Sequence, residues 1–495
     1  MPLTRASGAG LIPPQVGREP AVRLSALQGS KVTASGSGLL LALFFFTLLM
    51  PINIDIGGLR MTPSRLFLLV CAIPFGIQLL SGKAGRLTVV DGGMLACVLL
   101  MIVTLLYHHG PPELAYALSQ AVEVFGGYMA GRVLIRSVGD YHRFIRYFLI
   151  ALLIMLPLAI YELYHYRMVL ADFLHSAFSV VRKNDQSRFG LSRVQVVFPH
   201  SILYGLFCSL ALASVYYIYK GRFFRMVLGA ALVIAMTGMS LSSGPLISIF
   251  LQTVLILWDK ITRGAWKLLA ALAGSAFLFL QIFSNRGPVI IFIEKFTLDP
   301  ATGWWRIYIW RFGTQSVREN PWLGIGLNDW DRPVWLTYSV DNFWLLMAMR
   351  YGLPCLCFLL TAFILHITFI LRAKGLSEPA RMVRKGYAIT LVGLSFTMAT
   401  VFVWDAMAVF VMFFMGAGAF LYTAAPVSPV PPVDLPGAEG APDEDGTVPR
   451  PGAQFSRFPQ TPGRDGPKPA AGRPESRPAP GRISSTRTRT EPARE

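Results

Sequence analysis

The sequence predicts an all-α protein, a polytopic transmembrane helical bundle of about twelve spans with a large extracytoplasmic loop carrying short interfacial helices. Three observations predict it. Of 495 residues, 54% are hydrophobic and only 15% charged, and the mean hydropathy is +0.51. Apolar runs near the ~20-residue length that crosses a bilayer recur along most of the chain. Basic residues gather on alternate connections, a pattern that membrane insertion imposes and a soluble fold does not.

The first six spans are expected at Gly38–Ile54, Thr62–Leu80, Val89–Tyr107, Pro112–Leu134, Phe144–Tyr164 and Phe198–Tyr219. The others are expected at Phe224–Met239, Ser242–Trp258, Ala265–Phe283, Pro354–Leu371, Tyr387–Val403 and Ala406–Tyr422. They must be helices, because barrel strands read as short alternating segments. With the N-terminus in the cytoplasm, the inside connections are Ser81–Leu87, Ile135–Arg143, Lys220–Arg225, Asp259–Lys267 and Arg372–Lys385. Each is basic, whereas the short outside connections carry almost no Lys or Arg. The net charge of +18 therefore reports topology and attraction to anionic membrane lipids. Nucleic acid is not an expected partner, since no basic patch is interleaved with exposed aromatics.

Residues 1–37 are rich in Gly, Ser, Pro and Ala and read as a disordered cytoplasmic segment. The first span reads as an uncleaved anchor. Residues 425–495 turn to Pro, Gly, Arg, Ser and Glu, and read as a disordered cytoplasmic tail. Between them, residues 38–424 form the transmembrane domain, with extracytoplasmic loops at about 165–197 and 284–353. Cys71, Cys97, Cys208, Cys355 and Cys357 fall in or at the edges of spans without metal-ligand spacing, and read as small packing residues. No Walker A sequence, dinucleotide fingerprint or HExxH occurs, so no cofactor and no metal is expected.

The two long outside loops break the charge pattern. The first carries Arg167, Arg182, Lys183, Arg188 and Arg193; the second carries Arg286, Lys295, Arg306, Arg311, Arg318 and Arg332. Long loops tolerate positive charge without inverting topology. Arginine's planar fork of donors also matches phosphate oxygens. Trp304 to Arg318 reads as a short helix at headgroup depth, with Arg311, Gln315 and Arg318 on one face. That face suits a lipid-linked diphosphate, or simply arginines snorkelling to phospholipid headgroups.

Asn320-Pro321-Trp322-Leu323-Gly324-Ile325-Gly326 follows as a helix stop and tight turn, with Gly324 and Gly326 able to approach a phosphate. Ser339-Val340-Asp341-Asn342 then precedes a helical stretch, Phe343 to Tyr351, stopped by Gly352 and Pro354. Asp341 fits the N-cap of that helix, and equally a base that takes a proton from a sugar hydroxyl. His200 is either an interfacial residue or a second base. Glu123 lies in mid-span, where an ionisable group is costly and faces a groove or a cationic partner.

Thr302-Gly303-x-x-Arg306-x-x-x-Trp310, Asn320-Pro321-x-x-Gly324-x-Gly326, Asp341-Asn342-x-x-Leu345 and Tyr351-Gly352 occur in an order that resembles the O-antigen ligase and polysaccharide polymerase superfamily. Upstream, Arg193-x-x-x-x-Phe198-Pro199-His200-x-Ile202-x-x-Gly205 and Met239-Ser240-Leu241-Ser242-Ser243-Gly244 are similar to segments of the same proteins. The resemblance covers about Leu39 to Tyr422. It implies a bacterial inner-membrane enzyme that moves a glycan from an undecaprenyl-diphosphate carrier to a sugar hydroxyl without metal or nucleotide. Loop arginines would hold the diphosphate.

On that reading Asp341, Arg306 and Arg193 are the catalytic candidates. Arg188, His200, Arg311, Arg318, Asn342, Gly324, Gly326 and Glu123 are the substrate-binding candidates. The ligases carry His where this chain has Asp341, which favours a polymerase over a ligase. A lipid-linked glycan flippase or transporter is a further alternative, as is a noncatalytic assembly protein. Other polysaccharide assembly proteins would be further partners.

Overall fold

The computed structural model describes residues 31–56, 59–181, 183, 187–284, 291 and 300–423, all within the compact unit Met1–Val427. The expected tail at 425–495, and Arg182, Arg286 and Lys295, lie outside the described residues.

In chain order the helices are α1 (Lys31–Leu49), α2 (Pro63–Leu80), α3 (Val89–His109), α4 (Leu114–Ala121), α5 (Gly127–Leu134), α6 (Val138–His165), α7 (Val169–Leu174), α8 (Ser201–Ser209) and α9 (Leu212–Ile218). The series continues with α10 (Phe223–Met239), α11 (Ser243–Thr262), α12 (Trp266–Phe283), α13 (Pro300–Glu319), α14 (Phe343–Arg372), α15 (Glu378–Met398), α16 (Asp405–Ala417) and α17 (Phe420–Thr423). Among the described residues, 8 helical stretches are long and apolar enough to cross a membrane. The architecture is mostly helical and consistent with a helical membrane protein.

Each stretch read as a span contains helix, but not all meet the length and composition of a membrane crossing. The apolar stretches Gly38–Leu49 and Phe223–Met239 are shorter. The stretch between Leu114 and Leu134 is interrupted by a π turn at Val122–Gly126. Helix α15 begins ahead of the expected Tyr387, with Arg381, Arg384 and Lys385 in its early turns. One expectation is corrected at the N-terminus, where α1 already starts at Lys31. Extending an existing apolar helix costs less than nucleating one, so weak formers such as Ser35 and Gly36 are carried along.

Two small strand clusters were not foreseen. Strands β1 (Ile52–Ile56), β2 (Leu59–Met61) and β3 (Ser179–Val180) form an antiparallel sheet in the order β2-β1-β3. Strands β4 (Ser187–Arg188) and β5 (Leu191–Ser192) form a hairpin. Its two-residue turn, Phe189-Gly190, has positive φ at both positions, the geometry that matches strand twist. Pieces this short give almost no alternating pattern to read.

Packing follows the rules of membrane bundles. Gly127 and Gly131, four residues apart on α5, let α16 approach until backbones nearly touch. A Cβ at Gly131 would meet Phe413 O at 2.1 Å. Beside this contact Phe44, Phe144, Phe148, Phe410 and Phe413 build a buried aromatic core. The rings of Phe44 and Phe413 stack at 4.4 Å.

Helix α14 breaks where the sequence expects a stop. Gly352 adopts φ 83°, ψ 168°, and Pro354 has no N–H to offer the carbonyl of Arg350. The freed carbonyls find donors in the preceding loop. Ile325 N donates to Met349 O at 2.8 Å, and Gly326 N to Arg350 O at 2.9 Å. Leu353 N in turn donates to Pro321 O at 2.7 Å. The Asn-Pro-x-x-Gly-x-Gly segment thus satisfies a broken helix, as buried backbone groups require.

Candidate functional site

Helix α13 buries the face that carries Ile309, Gly313 and Val317, at helical spacing, against α14. A Cβ at Gly313 would lie 2.8 Å from Leu345 Cδ2, so the two helices are in close contact. Arg306 continues the buried face one turn further toward the start of α13. There it lines a cavity of about 370 Å³ together with Arg188, Arg193, His200 and Asp341. Residues from three separate regions of the sequence meet at this point.

Arg193 is buried and anchored from the turn between α10 and α11. It donates through NH2 to Ser242 Oγ at 2.7 Å and through Nε to Ser240 O at 3.5 Å. Arg188, on the β4–β5 hairpin, donates to Leu241 O at 3.0 Å. Ser242, Ser243 and Gly244 complete this wall. Helix α11 starts there without a side-chain cap, so its positive dipole end faces the cavity.

The loop bearing Arg193 is held from below by Glu162. This buried carboxylate accepts from Gln195 N at 3.0 Å and Val196 N at 2.8 Å, and pairs with Lys183 Nζ. Val196 has φ 53°, an unfavourable conformation for a β-branched residue. Glu162 holds the strained turn in place. Sequence reading missed Glu162 and gave the Ser242–Gly244 turn no role. A carboxylate at the polar end of an apolar span was the available signal for Glu162.

Electrostatics distinguish this cavity. Burial, then Arg188 and Arg306, pull the Arg193 pKa down from 12.5 to about 10. Burial also lowers Arg306, against the attraction of Asp341. Arg306 Nε finds no hydrogen-bond partner among the described residues. Guanidinium groups held together and partly desolvated favour an anion between them. His200 caps α8 by accepting from Ile202 N through Nδ1 at 3.1 Å. Burial, then Arg193, lower its pKa from 6.5 to about 4. At neutral pH it is uncharged, with the proton on Nε2, and is therefore a donor rather than a base.

Asp341 accepts from Ser339 Oγ at 3.1 Å. The cap of α14 is its neighbour Asn342, whose Oδ1 accepts from Leu345 N at 3.0 Å. Asp341 is therefore not the side-chain cap of α14. Its carboxylate is not spent on capping and lines the cavity instead.

The other sequence candidates lie elsewhere. Asn342 is engaged as the cap. Arg311 and Arg318 are exposed on the outer face of α13. Gly324 and Gly326 pack on the broken helix, where a Cβ at Gly324 would meet Met349 O at 2.4 Å. Neither glycine lines the arginine cavity. Glu123 bonds to Arg65 Nε at 2.7 Å in a separate cavity. Among the described residues no three His, Cys, Asp or Glu side chains converge on a possible metal position.

A scan of protein-family models finds none that matches this chain, and a search of curated proteins finds no match either.

Proposed function

We propose that this protein transfers a glycan from an undecaprenyl-diphosphate-linked oligosaccharide to a sugar hydroxyl, polymerising the repeat units of a surface polysaccharide. One observation carries this reading: Arg188, Arg193 and Arg306 converge with Asp341 in one cavity at the N-terminal ends of α8 and α11. A diphosphate is already a good leaving group, so the enzyme has to stabilise the charge that develops on it and accept one proton. The arginines and the neutral His200 supply the first. Asp341 supplies the second. The acceptor oxygen bonds to the anomeric carbon as the bond from that carbon to the phosphate oxygen breaks. The electron pair leaves with undecaprenyl diphosphate, and the hydroxyl proton passes to Asp341.

Twelve crossings with both termini in the cytoplasm would put this cavity outside a bacterial inner membrane. Its contributors sit at the starts of α8, α11 and α14, and the basic connections fall at the opposite helix ends, which supports that orientation.

The test is the glycan profile of cells carrying Asp341→Asn or Arg306→Ala. Single repeat units on the acceptor are the expected result. Long polymer stranded on its carrier would identify a ligase instead, and an unchanged profile would overturn both.

A further inference from the structure

A second cavity, of about 680 Å³, adjoins the first and has a different chemistry. Pro199 lines it beside His200 of the arginine cavity, and Ser339 lines it two residues before Asp341. Trp404, also in its lining, meets the His200 ring at 6.3 Å. Its volume falls within the roughly 300–1,000 Å³ of small-molecule sites.

The polar groups of this lining are incompletely satisfied. The Tyr116 hydroxyl, the Gln120 amide and the Arg350 guanidinium make no hydrogen bond to any described residue. Arg350 rests over the Phe402 ring at 5.8 Å. Arg65 is committed to Glu123 Oε1 at 2.7 Å and Arg60 O at 2.6 Å, and reaches Asp405 only at 3.5 Å. Glu123 Oε2 and Asp405 Oδ2 accept from no described donor. Both acids sit at irregular backbone. Glu123 lies on the π turn, and Asp405 has φ 50°, departures of a kind that clusters at functional sites.

We propose that this cavity binds the saccharide acceptor. Its free groups are donors and acceptors in mixture, which suits neutral hydroxyls, each able to play both parts. Trp404 and Phe402, stacked with ring centroids 5.5 Å apart, give the lining an aromatic wall of the kind sugar rings pack on. A hydrocarbon tail would leave these groups unsatisfied, and a phosphate drawn to Arg60, Arg65 and Arg350 would also meet the Glu123 and Asp405 carboxylates. The shared wall delivers one acceptor hydroxyl from Trp404 and Ser339 to Asp341. The assignment rests on the transfer reaction proposed above, but the saccharide site is testable without turnover.

The experiment uses full-length protein in nanodiscs and two probes. One is undecaprenyl diphosphate; the other is the oligosaccharide released by mild acid from the lipid-linked pool of the producing cells. Binding of each is measured for wild type, Gln120→Ala, Asp405→Asn and the double variant Arg193→Ala/Arg306→Ala. Gln120→Ala and Asp405→Asn should each weaken the oligosaccharide about tenfold or more and leave undecaprenyl diphosphate unchanged. Gln120 has no described partner to lose, so its variant keeps the test informative if Asp405→Asn unfolds. Equal oligosaccharide binding in the folded Gln120→Ala and wild-type proteins overturns the proposal. So does weakened undecaprenyl diphosphate in that variant, which would make this cavity a carrier-lipid site. Unchanged undecaprenyl diphosphate binding in the double arginine variant sinks the transfer reading instead, whatever the oligosaccharide does.

Discussion

Helix α13 carries arginines on two faces, and the two faces meet different surroundings. Arg306 is half-buried in a cavity with Arg188, Arg193 and Asp341. Arg311 and Arg318 are exposed. Arg311 is roughly 140° around the helix from Arg306, at about 100° per residue. One face is desolvated, so its charges act strongly on a ligand. The other is in contact with the surroundings, where screening and headgroups weaken each charge. Helical spacing identifies which arginines share a face. Whether that face is the reactive one depends on what α14 covers, and this is a tertiary fact.

Asp341→Asn is the strongest way to sharpen this contrast. It should lower the transfer rate about 10²–10⁴-fold, the usual contribution of a positioned base, with little change in donor KM. Arg306→Ala comes next, at about 10²–10³-fold in kcat, and Arg306→Lys should recover only part because an ammonium lacks the planar fork. Both are read from single-turnover transfer in nanodiscs.

Gly352→Ala probes the scaffold. A Cβ there would lie 2.1 Å from Trp322 O at a φ of +83°, so thermal unfolding should show a loss of at least about 1–3 kcal/mol.

The pH profile should move less. Arg193 must be protonated to attract an anion, and its pKa lies below the ordinary value, at about 10. Undecaprenyl diphosphate affinity should be level from about pH 7.5, above the ligand's own phosphate ionisation, to about 9 and fall as pH rises through about 10. His200 contributes in the opposite pH range. Its folded pKa lies below 6.5, at about 4, so the stability of its buried neutral form is lost as pH falls through that interval. The smallest effect is expected of Arg311→Ala and Arg318→Ala, within about threefold, as for exposed charges generally. A large loss there would break the contrast between the two faces.

Much of the helical architecture was legible because apolar length carries the signal directly. Helices occur at each expected span, and the break at Gly352 follows from Gly and Pro chemistry. The β4–β5 hairpin and the π turn at Glu123 were not legible, since neither has a periodic pattern of its own. At the candidate site, the arginine-bearing loops stood out by charge. That Arg188, Arg193, His200, Arg306 and Asp341 would meet did not follow from spacing, because loops far apart in sequence are brought together only by helix packing. Glu162 was passed over for a related reason. Its partners, Gln195 N and Val196 N, are backbone groups that no side-chain motif reveals.

On the proposed function, the arginine cavity grips the carrier's diphosphate. The direct measurement is undecaprenyl diphosphate affinity, compared between Arg193→Ala/Arg306→Ala and Arg311→Ala/Arg318→Ala in the full-length protein. A loss of more than about 100-fold is expected for the cavity pair, as charge-assisted bonds to phosphate disappear, with near wild-type binding for the outer pair. Equal affinities in the two double variants would contradict it.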